Sequence, residues 1–203
     1  MDFKDIFNRT WQLFVANLPA LILSTLVYIA VSVVSLGIMA PVLTAGYMQS
    51  LLLLVREGRK PELRDLFGQM RLFFPLLAFL VAVVIVVSIG FGILVLPGIG
   101  VIIALSFFCL YMLPLMTDQG LGLINAVKTS SRMALEPPVG EQVAVVTVFL
   151  VLNSIGNSTG IGVLFTQPFA TLFILLVYEH KKQRRITFSN STQNNPPPPP
   201  PEA

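Results

Sequence analysis

Residues 56–71 read Arg56-Glu57-Gly58-Arg59-Lys60-Pro61-Glu62-Leu63-Arg64-Asp65-Leu66-Phe67-Gly68-Gln69-Met70-Arg71 and hold five of the thirteen basic residues. An uncharged run lies on each side, 18–55 and 72–116. As single helices these runs would measure about 57 Å and about 68 Å, roughly twice the thickness of a bilayer's hydrocarbon core. Each must double back, so the polar stretch between them marks one face of a membrane.

The expected bends follow from local chemistry. In the first run, Leu36-Gly37-Ile38-Met39-Ala40-Pro41 offers a glycine to loosen the backbone and a proline to open the returning helix. In the second, Leu96-Pro97-Gly98-Ile99-Gly100 is the expected break, because Pro97 disfavours a helical residue before it and the glycines allow a tight turn. A third run, 143–178, is interrupted by the polar cluster Asn153-Ser154-Ile155-Gly156-Asn157-Ser158-Thr159-Gly160, read as a turn. The result is an all-α polytopic membrane fold, six transmembrane helices in three hairpins.

Each hairpin is expected to follow an amphipathic helix at the interface. Phe3, Ile6, Phe7, Trp11 and Phe14 recur at helical spacing, with Lys4, Asp5, Asn8, Arg9 and Gln12 largely opposite. Leu63, Leu66, Phe67 and Met70 make a second stripe, and Leu121, Ile124, Val127 and Leu135 a third, started by Asp118 and stopped by Pro137-Pro138. Hairpins and stripes repeat at a spacing near 60, giving units of about 1–60, 61–120 and 121–180. Because each unit starts on the same side, the repeats would be parallel, related by an axis along the membrane normal.

Charge fixes the orientation. Every Lys and Arg falls in 1–17, 56–71, 117–141 or 179–203, and the three bends hold none. The positive-inside rule places all four segments in the cytoplasm. A cleaved signal peptide is not expected, because the first apolar run is too long and the n-region carries Asp2 and Asp5 against Lys4 and Arg9. The segment 181–203 reads as a disordered cytoplasmic tail, basic at first and ending in the prolines 196–201.

Composition agrees and narrows the function. Hydrophobic residues make up 55% and charged ones 11%, with mean hydropathy +0.81, far from the roughly 25% charged of soluble domains. The net charge of +3 sits at membrane edges and implies no nucleic-acid partner. A lone Cys109 rules out an intramolecular disulfide, and a lone His180 rules out a histidine metal site. No phosphate loop or nucleophile–base pair occurs, so neither enzyme activity nor cofactor is expected.

The candidate site residues are therefore few. Gln49 and Gln167 lie within apolar legs and either line a solute path or bond between helices. Asp118, Lys128 and Arg132 sit where the second hairpin meets the third amphipathic helix. There Asp118 pairs with one of the cations to pin the helix, or the cations hold an anionic lipid headgroup. Membrane lipids, and other membrane proteins or a second copy, are the expected partners.

Several short motifs resemble a broad group of uncharacterised bacterial six-span membrane proteins. The connector Arg56-Glu57-Gly58-Arg59-Lys60-Pro61 with Leu66-Phe67 is similar to that group's "G-x-x-P … L-F", and Leu96-Pro97-Gly98-Ile99 to its central break. Pro114-Leu115, Asp118-Gln119-Gly120-Leu121-Gly122, Ala126 and Lys128 to Ser130 resemble the next connector; Thr166-Gln167-Pro168 and Tyr178 resemble the last span. The group's domain also occurs fused to glycerophosphodiester phosphodiesterases. No such soluble domain is present, so the resemblance implies a bacterial inner-membrane location and no catalytic residues. A scaffold or accessory protein of envelope maintenance is the expected function, with a small oligomeric transporter or channel for a solute or lipid as the alternative.

Overall fold

The computed structural model describes residues 3–93 and 95–194, and the prolines 196–201 lie outside them. All regular structure in these residues is helical. Helices α1 (Phe3–Ala16), α2 (Leu18–Val34) and α3 (Ala40–Glu57) come first, then two 3-10 turns, Leu63–Phe67 and Met70–Leu72. Helices α4 (Phe73–Ile93), α5 (Val95–Cys109), α6 (Met112–Asp118), α7 (Leu123–Leu135), α8 (Val139–Thr159) and α9 (Val163–Asn194) follow.

Four stretches are long and apolar enough to cross a membrane: Leu63–Gly92, Val95–Asp118, Val139–Ser158 and Val163–Thr187. A fifth arises if α1 and α2, bent by 83° at Asn17, count as one broken span. α2 and α3, with 17 and 18 residues, do not qualify singly.

Neighbouring helices pair as hairpins, α2 with α3, α4 with α5, and α8 with α9. The first bend falls where expected: Leu36 and Gly37 have positive φ of 51° and 81°, and Pro41 sits in the first turn of α3. The other two bends differ. α4 ends at Ile93 and α5 starts at Val95, so Pro97 lies in a first helical turn, where its missing N–H has no partner to lose. The cluster 153–160 is helix, not turn, up to Thr159. Asn153 Nδ2 donates to Phe149 O at 2.8 Å and Ser158 Oγ to Ile155 O at 2.9 Å, so these side chains bond within α8. The chain turns instead at Gly160, with φ 64°.

The expected amphipathic helices fare unequally. α1 forms, and its aromatic face meets Phe169 of α9, with ring centroids 5.4 Å from Phe7, 6.4 Å from Trp11 and 5.8 Å from Phe14. The second is no α-helix. Its two 3-10 turns fold back along α3, so that Leu66 is buried and Asp65 Oδ2 accepts from Ser50 Oγ at 2.9 Å. Ser50 stands about 10 Å from the end of α3 at Glu57. Gly46 permits this approach, because a methyl group there would run into the backbone carbonyls of Leu66 and Asp65.

α7 forms with a different buried face. Ala126, Ser130, Met133 and Ala134 point inward, while Ile124 and Leu135 are exposed. Small residues let α7 lie close to α5, where Ser130 Oγ donates to Phe108 O at 2.6 Å and accepts from Tyr111 N at 3.2 Å. Asp118 does not start this helix; Gly122 is its N-terminal cap residue.

Burial divides the molecule lengthwise. The return legs α3, α6 and α9 carry most of the core, including Leu43, Tyr47, Leu51, Leu54, Leu115, Met116 and residues 169–178. Among the described side chains, only Leu76 and Gly90 of α4 are buried, and only Gly98 of α5. The packed half is thus the one near Arg56 and Asp118, and the α4–α5 hairpin presents apolar side chains outward. Finally, α9 runs on through Asn194, so 181–194 is helical where an unstructured tail was expected.

Candidate functional site

The charged residues at the ends of the three return legs meet. Arg56 ends α3, Asp118 ends α6, and Tyr178, Glu179 and Lys182 lie on α9. Arg56 grips the Asp118 carboxylate with two bonds, Nη1 to Oδ1 at 2.6 Å and Nη2 to Oδ2 at 3.0 Å. Its Nε donates to Glu179 Oε1 at 3.0 Å. Asp118 Oδ2 also accepts from Lys182 Nζ at 2.7 Å and from the Tyr178 hydroxyl at 2.8 Å. Gln119 Nε2 donates to that hydroxyl at 3.1 Å. The Asp118 side chain is only 8% exposed while Arg56 and Lys182 are each 31% exposed, and because Asp118 is ionised all four of its bonds are charge-assisted.

A second cluster lies beside it. Lys181 is 5% exposed, and its Nζ donates to Met133 O and Gln142 Oε1, each at 2.9 Å, while standing 5.0 Å from the Tyr111 ring centroid. The Tyr111 hydroxyl donates to the same Gln142 oxygen at 2.8 Å. Met133 is in the last turn of α7, whose final carbonyls have no partner inside the helix. Lys181 therefore joins the end of α7 to α8 and α9. Arg184 with Glu141 at 3.5 Å ties α9 to the start of α8, and Arg185 with Glu136 ties α9 to the C-terminal cap of α7.

Asp65 sits apart, in the polar segment between the first two apolar runs. Burial raises its carboxyl pKa, but bonds from Arg59 and Ser50 outweigh that and hold it below the usual carboxylate range. Between α1, α3 and α9 there is also a cleft of about 460 Å³, lined by Asp5, Arg9, Arg56, Glu179, His180 and Gln183 together with apolar side chains.

The expected site residues separate. Asp118 pins helices together, though with Arg56 and Lys182 rather than with Lys128 or Arg132. Lys128 and Arg132 point outward from α7, on the side opposite its buried Ala126, Ser130 and Met133. Gln167 lines a cavity of about 300 Å³ between the hairpins, and Gln49 does not. Sequence reading missed Arg56, Tyr178, Lys181 and Lys182. What these residues share is position: Arg56 and Asp118 sit at the C-terminal ends of α3 and α6, and Tyr178 to Lys182 where α9 changes from apolar to basic sequence.

Chemically, the polar end ties helices. No group of three or more His, Cys, Asp or Glu able to hold a metal ion occurs among the described residues. Comparisons with protein-family models, curated proteins and solved structures return no match to this chain.

Proposed function

We propose that this is an integral protein of a bacterial inner membrane, built from three hairpins as parallel repeats with six membrane-embedded helices, and that it is a non-enzymatic scaffold or accessory of envelope maintenance. It meets lipids, other membrane proteins or a second copy through its polar end. The segments 1–17, 56–71, 117–141 and 179–203 share the cytoplasmic side. α2 and α3 are about 26 and 27 Å long and carry the charged turns along their flank, so the first hairpin is the shallowest. An even number of passes between polar segments holds whether it crosses fully or re-enters. The location rests on the resemblance to the six-span group and on the charge asymmetry.

One observation carries the scaffold reading: the bundle is closed at its polar end. Below the cavity at Gln167 stand Leu51, Leu115, Met116, Leu175 and Tyr178, each fully buried, and beneath them the Arg56–Asp118–Lys182 network. A static brace of this kind suits a protein that holds others in place. The cavity itself favours the second reading, a small oligomeric transporter or channel, which would need that floor to open.

Purification in native-lipid nanodiscs, with mass spectrometry of what stays bound, separates the two. Retained lipids and membrane proteins are expected. A water-soluble solute bound at one per chain, with uptake of that solute into proteoliposomes, would overturn the scaffold reading.

A further inference from the structure

The cavity at Gln167 lies where the three return legs diverge. α3 contributes Thr44 and Met48; α5 contributes Leu105, Ser106 and Cys109; α6 contributes Leu113, with Leu110 from the turn between them; α9 contributes Gln167, Thr171 and Ile174. Phe79 and Val83 of α4, and Phe149 and Asn153 of α8, complete its lining. No charged side chain lines it. An ion there would lose its hydration with no opposite charge in return.

Its polar groups are neutral and partly uncommitted. Thr44 and Thr171 donate to carbonyls of their own helices, at Ala40 and Gln167, each at 2.8 Å; Thr44 also accepts from the Tyr28 hydroxyl at 3.1 Å, whereas Thr171 keeps its acceptor capacity. Asn153 spends its Nδ2 on Phe149 O and keeps its carbonyl. The side chains of Gln167 and Ser106 have no hydrogen-bond partner among the described residues. An apolar annex of about 180 Å³ shares Thr44, Phe79, Val83 and Leu113 with the cavity and continues past Leu76 and Leu80.

We propose that this cavity binds an uncharged, membrane-soluble amphiphile, with its hydroxyl or carbonyl on the Gln167 amide and its apolar body in the annex. A carbonyl accepts from Gln167 Nε2 and a hydroxyl donates to Oε1, so either end group fits. The buried floor below makes the site blind, a place of residence rather than passage. The assignment rests on α8 and α9 being embedded in the bilayer.

Photo-crosslinking in nanodiscs tests it, with a diazirine-bearing dodecanol as probe and the matching dodecanoate, ionised at alkaline pH, as the charged control. Dodecanol adducts are expected on cavity residues such as Met48, Phe79 and Phe149, displaced by unlabelled dodecanol. They should weaken about fivefold in Gln167→Leu, the scale of one lost hydrogen bond, and stay unchanged in Gln49→Leu. Adducts that cannot be displaced, or that form equally with dodecanoate, would overturn the assignment. Should Gln167→Leu fail to fold, the alcohol–carboxylate contrast in the unaltered chain decides. Embedded protein without displaceable adducts refutes the site alone; protein stripped from the nanodiscs by alkaline wash refutes the membrane reading and the site with it.

Discussion

Asp118 holds three cationic or hydroxyl partners on two other helices, and they lie 60 to 64 residues away in the chain. Removing its carboxylate would take from Lys182 its ion-pair partner and leave Arg56 bonded to Glu179. Asp118→Ala is therefore expected to cost about 1–3 kcal/mol, read as a lower thermal unfolding midpoint in nanodiscs; an unchanged midpoint would mean that the network ties nothing. Asp65 supplies a pH response of known sign. Its folded-state pKa is depressed, burial being outweighed by Arg59 and Ser50, so its contribution is complete above the ordinary carboxyl value of about 4 and is lost as pH falls through the folded pKa. The drop in unfolding midpoint between pH values of about 6 and about 3 should shrink in Asp65→Asn. An equal drop would show that Asp65 is not the titrating group. Asp118 was legible from sequence as a charge at a helix junction. Its partners were not, because a sequence stripe shows neighbours within one turn and says nothing about which chain ends meet.

Among the elements, the segment after α3 departs furthest from expectation. Leu63, Leu66, Phe67 and Met70 have helical spacing, yet the backbone forms 3-10 turns, because Gly46 lets that backbone sit against α3 and Asp65 finds Ser50 and Arg59 there. Tertiary contact outweighs a weak local preference over so short a stretch. Gly46→Ala should push the turns away from α3 and destabilise by about 1–3 kcal/mol. Gly92, with open space around it, is the control: Gly92→Ala should be neutral or stabilising by up to about 1 kcal/mol. Equal effects at the two sites, measured as unfolding midpoints, would contradict the close approach. The hairpins and α1 were legible because apolar runs and aromatic spacing are signals within a single element. The exact turns of the last two hairpins were not, since Pro97 is as comfortable in a first helical turn as in a bend, and the polar side chains near Asn153 can bond inside a helix.

For the whole molecule, the placement of every Lys and Arg outside the apolar runs anticipated that charges would gather at helix ends, though not how the helix pairs differ from one another. The α4–α5 pair follows 3-10 turns rather than an amphipathic helix, the chain breaks at Leu110-Tyr111 before α6, and α9 extends to Asn194. Such differences lie in loops and helix ends, where a few residues' contacts decide the outcome and the apolar pattern is silent. The proposed arrangement needs an even number of passes between successive polar segments. Single cysteines at Lys60→Cys and Gln183→Cys, in a Cys109→Ser background, test this in intact cells with a membrane-impermeant maleimide. Neither should label until the membrane is opened, and both should label then. Labelling of either one from outside the intact cell would contradict the arrangement proposed for this protein.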